Sequence, residues 1–373
     1  MKAGWTQRKI DDICDFRGGG TPSKANENYW RGEIPWVSPK DMKSDVITDS
    51  IDHISANAIE ESTTNLIPSG SVLVVVRSGI LARTVPVAIT GREVAINQDI
   101  KALCPDKSVD SWFLFYFLKS RLEEMLALAS RGATVHRIMA DQIRAMEIPV
   151  PPLAEQQRIV GVLDEAFASL ATAQAHAAQN LQNARALFES CIQVEFGKDV
   201  ALGELVDIKT GKLDANAAEE DGEYPFFTCS RETYAINNYA FDCEAVLLAG
   251  NNAVGDFNVK HYVGKFNAYQ RTYVITINSR KRAISRYLYY QLQKNLAKFK
   301  SQSVGTGTKF LKLGMIKDMM IPLPTIPEQS RIVNQLDALA AETQRLAQIY
   351  EQKLAALAAL KRSLLHQAFS GKL

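Results

Sequence analysis

The chain has 373 residues, 46% of them hydrophobic, with 43 lysines and arginines against 41 aspartates and glutamates. That length exceeds one ordinary core and predicts two domains with connectors, and no run of about 18 apolar residues is present to form a membrane span. A net charge of +2 excludes a protein that grips nucleic acid by bulk basicity.

Charge sorting along the chain does not change this. Residues 1–147 carry 18 basic against 19 acidic side chains, and residues 200–320 carry 16 against 12. Any basic surface must come from placement in space. The opening "MKAGWTQRKIDDI" has no apolar signal core, which predicts no export. Five cysteines, at positions 14, 104, 191, 229 and 243, form no C-x-x-C pair. They read as reduced thiols of a cytoplasmic protein.

In chain order, the first signals are a loosely apolar "IDDICDFRGG" (10–19) and the polar loop "RGGGTPSK" (17–24). Trp30 and Trp36 read as core. "SGSVLVVVRSG" (69–79) reads as a buried strand ending at Arg77, and "REVAINQDIKALC" (92–104) as a second strand. "FLFYFLKS" (113–120) follows, then the loop "RGATVHR" (131–137). "IPVPPLAEQQRIVGVLDEAFASL" (148–170) then opens a long helix: prolines suit a first turn, and Glu155 sits near the positive helix end. No proline and only Gly161 interrupt the run to about Phe196, roughly 40 residues or about 60 Å.

From there the chain repeats itself. "LGELVDIKTG" (202–211) matches the first segment, and "CEAVLLAGNNAVG" (243–255) and "FNAYQRTYVITI" (266–277) match the two strands, with Gln270 at the place of Gln98. "YLYYQLQK" (287–294) matches 113–120, and Gly305 of "GTGTKFL" matches Gly132. "IPLPTIPEQSRIVNQLDALAAET" (321–343) aligns without gaps to 148–170, 173 positions earlier. The chain is therefore two copies of one mixed strand–helix unit, each followed by a long helix.

The second helix carries a seam at four-three spacing: Ile332, Leu336, Leu339, Thr343, Leu346, Tyr350, Lys353, Leu357, Leu360 and Leu364. The corresponding positions in the first are Ile159, Leu163, Ala166, Leu170, Ala173, Ala177, Asn180, Ala184, Leu187 and Cys191. About 120 residues join the end of one helix to the start of the other. An antiparallel pair lets one compact domain bridge them. That pairing sets Asn180 opposite Thr343 and Ala173 opposite Tyr350. A strut of this length between two similar heads spans up to about 18 base pairs of DNA.

The loops supply base-reading chemistry. Arg and Lys suit guanine edges, Asn and Gln suit adenine edges, and glycine admits phosphate to the backbone. The residues read as DNA contacts are Arg17, Lys24, Arg77, Arg83, Arg131, His136 and Arg137 in the first copy. In the second they are Lys212, Arg231, Asn251, Asn252, Lys260, Gln270 and Lys309.

Catalytic signatures are missing. No G-x-x-x-x-G-K-[ST] loop, methyl-donor fingerprint or nucleophile elbow occurs, and five scattered histidines lack metal-ligand spacing. "PKDMK" (39–43) and "PDKSVD" (105–110) faintly resemble a nuclease's acid–lysine cluster, but such short runs are common on surfaces and read as that. The reading is a non-catalytic binding protein with no cofactor and no metal.

The segments "GGGTPSKANENYWRGEIPWVSPKDM" (18–42), "GATVHRI" (132–138), "YPFFTCSRETYAINNYAFD" (224–242) and "GKFNAYQRTYVI" (264–275), with the doubled proline-to-helix sentence, resemble specificity subunits of type I restriction–modification systems. The resemblance spans nearly the whole chain. It implies an α+β protein with an internal pseudo-twofold repeat: two mixed α/β target-recognition domains, at 1–147 and 198–320, separated by two long antiparallel coiled-coil helices, at 148–197 and 321–373. By resemblance each domain reads half of a split double-stranded DNA site. The helices act as a ruler and dock two methyltransferase subunits, and endonuclease/translocase subunits join for cleavage. Methylation and ATP-driven cleavage belong to those partners. Docking falls on the helix starts: Glu155, Gln156, Arg158, Ile159 and Leu163, then Glu328, Gln329, Arg331, Ile332 and Leu336. Two rivals stay open, a stand-alone restriction or methyltransferase enzyme and a helical scaffold that binds only proteins.

Overall fold

A computed structural model of the chain describes residues 4–130, 135–191 and 197–373. It divides into two compact units, Met1–His176 with Lys353–Leu373, and Ala177–Gln352. The division cuts both long helices, so each unit contains a stretch of each.

The first unit is built on two larger sheets. Five strands run in the order Cys14–Gly18, Ile100–Pro105, Val72–Val75, Val87–Thr90 and Val46–Ile47; four run Asp52–Ile54, Ile34–Val37, Val94–Ile96 and Leu66–Ile67. The segment 92–104, read as one strand, is two: Val94–Ile96 and Ile100–Pro105 lie in different sheets, with Asn97, Gln98 and Asp99 forming the turn between them. The run at Val72–Val75 is buried on both faces, which its unbroken valine and leucine pattern required. Helix Ser111–Ser120 lays Phe113, Leu114, Phe115, Phe117 and Leu118 into the same core. Asp110 caps it, its carboxylate accepting from the backbone N–H of Trp112 and Phe113. Trp36 is buried with Trp30 edge-on against it at 5.1 Å, as their reading as core anticipated.

The second unit replaces the two sheets with one of six strands: Val206–Thr210, Thr272–Ile277, Phe241–Ala249, Val259–Ala268, Tyr224–Phe227 and Tyr234–Ile236. Helix Ser285–Lys294 takes the place of Ser111–Ser120. A small antiparallel pair closes each unit at the base of its long helix: Thr6–Lys9 with Glu147–Val150, and Lys198–Ala201 with Met320–Leu323.

The long helices run Leu153–Cys191 and Ile326–Phe369. Within the first unit Arg158 donates to the Leu373 carbonyl at 2.9 Å, and the Lys361 ammonium lies 4.7 Å from the Phe167 ring centroid. Within the second, Arg185 pairs with Glu351 at 2.9 Å, and Phe188 clusters with Leu336 and Ile332. Partner numbers fall as the first helix advances, so the pairing is antiparallel.

The seam differs from strict heptads. Asn180, Leu187, Cys191, Lys353 and Leu360, all expected inside, are exposed, while Leu181, Phe188 and Leu354 turn inward. From Ile159 to Phe188 the buried stripe advances 29 residues in eight steps. That is the ordinary helical period near 3.6. A 3.5 repeat drifts from it by about 20° per heptad, so the later seam positions fall one residue off.

The doubled helix start has a mechanical meaning. Gln156 and Gln329 are fully buried. The Gln156 side-chain oxygen accepts from Asp110 N–H at 2.8 Å, and its nitrogen donates to the Ser108 and Pro151 carbonyls at 2.9 Å. Gln329 does the same with Ile284 N–H at 2.9 Å, and with the Arg282 and Pro324 carbonyls at 3.0 and 2.9 Å. Two turns further on, Tyr116 donates to Asp164 and Tyr290 to Asp337. Burial pushes the Asp337 carboxyl up, but hydrogen bonds from Arg286 and Tyr290 outweigh it and hold that carboxyl below the usual carboxylate range. Each globular core is thus pinned to its helix by two polar clamps at repeat-equivalent positions.

Candidate nucleic-acid interface

Three segments converge in each unit. In the first, Arg77–Ser78 forms a short antiparallel ladder with His136–Arg137. The adjacent turn is tied to it: the Asp99 carbonyl accepts from Val76 and Arg77 N–H, and the Arg77 guanidinium reaches the Asp99 carboxylate at 2.6 Å. The glycine loop joins from the other side, where Gly20 N–H donates to the Ile96 carbonyl and the Thr21 hydroxyl bonds Gln98 at 2.6 Å. A Cβ at Gly19 would sit 1.9 Å from the Ile96 carbonyl oxygen, so only glycine allows this approach.

The second unit repeats the construction. Asn251–Asn252 pairs with Lys309–Phe310. Gly250 N–H donates to the Arg271 carbonyl at 2.9 Å, and the Arg271 guanidinium lies 5.7 Å from the Phe310 ring centroid. The loop after Thr210 arrives as before: Gln270 N–H donates to the Leu213 carbonyl, and the Gln270 side chain donates to Asp214 at 3.1 Å. A Cβ at Gly211 would lie 1.8 Å from the Ala268 carbonyl oxygen. Arg231 adds a bidentate pair to Asp256, Nη2 donating to Oδ1 at 2.8 Å and Nε to Oδ2 at 3.2 Å.

The structure therefore brings together Arg77, His136 and Arg137 in one unit, and Asn251, Asn252, Gln270, Lys309 and Arg231 in the other, with Lys212 exposed on the neighbouring loop. Arg17 lies on the strand leading into the first glycine loop, paired with Asp15 at 2.9 Å. Arg83 follows the short 3-10 turn Gly79–Ala82 and lines a cleft with Lys119 and Arg362. Lys24 lines a different cleft, with Glu27, Trp30, Arg31 and Asp52. Arg131 lies outside the described residues.

Lys260 needs correction as a base reader. Its ammonium donates to the Ser230 and Glu232 carbonyls at 3.0 and 2.7 Å, and burial pulls its pKa down. It supports the loop carrying Arg231 instead of facing outward. The docking set changes too. Gln156, Ile159 and Leu163 are fully buried, Gln329 likewise, Leu336 nearly so, and half-buried Ile332 packs on the second core. These side chains hold the chain together and offer no surface. At the same helix starts Arg158 and Arg331 are exposed, each paired with a half-buried glutamate, Glu155 at 2.7 Å and Glu328 at 2.6 Å.

Loop composition alone did not reveal Ser78, Arg271 and Phe310. The signal for Ser78 and Phe310 was the 173-residue offset, which sets Ser78 at the place of Asn251 and Phe310 at the place of Arg137; Arg271 had none. Among the described residues no group of three or more His, Cys, Asp or Glu side chains can hold a metal ion, and no helix is long and apolar enough to cross a membrane.

The family of the type I restriction modification DNA specificity domain matches residues 2–180 and 197–352. The specificity subunit of the type I restriction enzyme EcoDI of Escherichia coli is 44% identical over 176 residues, 47% of this chain and 38% of that protein. The EcoR124I/EcoR124II specificity subunit, also from Escherichia coli, is 38% identical over 160 residues, 42% of this chain and 40% of that protein. The matched stretch thus spans about two fifths of these curated relatives. Among solved structures, a chain from a study of complex assembly and conformational transition of the type I R-M system superposes with a TM-score of 0.81 at 18% identity, covering 100% of this chain and 99% of that one. The HsdS subunit from Thermoanaerobacter tengcongensis gives 0.59 at 18% identity, covering 100% and 98%. At such identities these structures establish likeness of fold.

Proposed function

This chain belongs to the type I restriction–modification DNA specificity family, and from that premise we propose that it reads a split double-stranded DNA site for a methylating and cleaving assembly. Residues 1–147 and 198–320 act as the two target-recognition domains, and 148–197 and 321–373 as the spacer helices. The chain itself does no chemistry. Adenine methylation and ATP-driven cleavage rest with two methyltransferase subunits and with endonuclease/translocase subunits, all working in the cytoplasm. The exposed guanidiniums of Arg158 and Arg331 are accessible points for those subunits.

One observation carries this reading. The same three-segment convergence recurs in both units with the same short ladder, yet its side chains differ: Ser78, His136 and Arg137 against Asn251, Lys309 and Phe310. A shared frame with unlike faces is what recognition of two different half-sites requires. The test is sequencing of methylated adenines in genomic DNA with and without the gene. Loss of methylation at one bipartite motif is expected; an unchanged methylation pattern overturns the reading.

A further inference from the structure

The loop between the Asn251–Asn252 strand and Asn258 presents an apolar tip. Val254 is 68% exposed, more than any other large hydrophobic side chain among the described residues. The loop is braced against collapse. The Asn252 side-chain oxygen accepts from Val254 N–H at 2.9 Å and Asp256 N–H at 3.1 Å. Gly255 takes φ +73°, a conformation other residues rarely adopt. Asp256 is gripped at the loop's base by Arg231. Cationic stems flank it: a Cβ at Gly255 would lie 3.3 Å from Lys300 Cγ and 3.5 Å from Lys309 Cγ.

In the first unit the corresponding turn is closed. Gly79–Ala82 forms a 3-10 helix, with Leu81 buried and Ile80 packed on the core. The apolar tip is therefore specific to one face. An ordered loop that holds a bare isopropyl group outward, with two lysine stems packed beside the adjoining Gly255, is chemically matched to one feature of the major groove. Cations engage phosphates on either side, and an apolar group meets the C5-methyl of a pyrimidine.

Resting on the proposed DNA-reading role, we propose that Val254 is a specificity-determining residue that contacts the C5-methyl group of a thymine in the half-site read by the second unit. Asn252, with its oxygen committed to the loop, acts as a positioning residue for Val254. 5-Methylcytosine carries the same methyl group and is the alternative source of the contact.

The experiment uses the full chain assembled with methyltransferase subunits, on duplexes carrying its methylation motif. Each thymine of both half-sites is replaced in turn by uracil, which removes only the methyl, and each cytosine by 5-methylcytosine. Burial of one methyl predicts that a single uracil substitution, in one half-site, weakens binding about fourfold. Val254→Ala abolishes that difference while leaving every other uracil substitution as in the wild type. Binding that responds to a 5-methylcytosine and to no uracil assigns the contact to the other base and overturns the thymine assignment. A half-site without thymine, or an equal uracil effect in wild type and V254A, overturns the proposal, while the chain still selects its motif. Loss of all motif preference in the wild-type assembly instead sinks the DNA-reading role itself.

Discussion

Replacing Gln156 by alanine tests whether the doubled helix start is a clamp. The substitution strands three backbone groups, the Pro151 carbonyl in a buried bond and the Asp110 N–H and Ser108 carbonyl in part-buried ones. Each costs about 1–3 kcal/mol when left without a partner. A water entering the vacated space recovers part of this, which leaves an expected loss of about 3–5 kcal/mol. The readout is favourable because all four tryptophans, Trp5, Trp30, Trp36 and Trp112, lie in the first unit. Urea unfolding followed by tryptophan fluorescence therefore reports that unit. Gln157→Ala, one residue along and exposed, is the control and is expected to change stability by less than about 0.5 kcal/mol. Gln156→Glu adds a pH arm. One carboxylate oxygen would face two carbonyls in a buried site, so its folded pKa rises above the ordinary value near ~4.3. A raised acid pKa leaves the deficit smallest below that ordinary value. The deficit grows as pH climbs through the folded pKa. Equal stability of Gln156→Ala and Gln157→Ala, or a Gln156→Glu deficit that does not vary with pH, would refute the clamp.

Three other outcomes follow from the same geometry. Asp337, held below its usual pKa by Arg286 and Tyr290, contributes stability above the ordinary carboxylate range that is lost as pH falls through the folded value; Asp337→Asn should flatten the acid limb of second-unit unfolding followed by hydrogen exchange. Exchanging residues 200–320 for the matching segment of a relative should change one half of the methylated motif and leave the other, read by methylation sequencing; a change in both halves counts against separate reading faces. Inserting seven residues in each long helix should widen the gap between half-sites by roughly three base pairs, or about 10 Å of helix; an unchanged gap removes the ruler.

Much of the architecture was legible because it rests on periodicity and on repetition. The prolines at 151, 152, 324 and 327 located the helix starts, since proline fits only a first turn. The seam was legible at its beginning, from Ile159 to Ala177. It went astray later because a four-three count assumes supercoiled helices, and these keep the ordinary period; Leu187 and Leu360 are apolar but exposed. The segment 92–104 hid a sheet change, because strands buried in two different sheets read as one apolar run until the Asn97–Asp99 turn is seen folded. Lys260 misled for a related reason. A lysine in a loop-rich stretch reads as a solvent-facing cation, and only the fold shows two backbone carbonyls waiting for its ammonium.

The repeated sentence and the candidate reading faces obey opposite rules, and the contrast follows from what each must do. A glutamine that satisfies three backbone groups at once, or a tyrosine that meets an aspartate across a helix interface, answers to geometry that both units share, so Gln156 and Gln329, and Asp164 and Asp337, coincide at one offset. The ladders at Arg77–Ser78 and Asn251–Asn252 share only their backbone pairing. Their side chains are exposed or half-buried, bond to loop and turn residues, and belong to neither hydrophobic core. A unit built this way can change what it reads while its clamps stay as they are, because the energy that holds it to the long helix resides in groups that point inward. Identity between the copies therefore marks mechanics, and difference on a common backbone marks recognition. By that criterion Val254, whose counterpart in the first copy is folded into the core, falls on the recognition side, as its proposed contact with a thymine methyl requires.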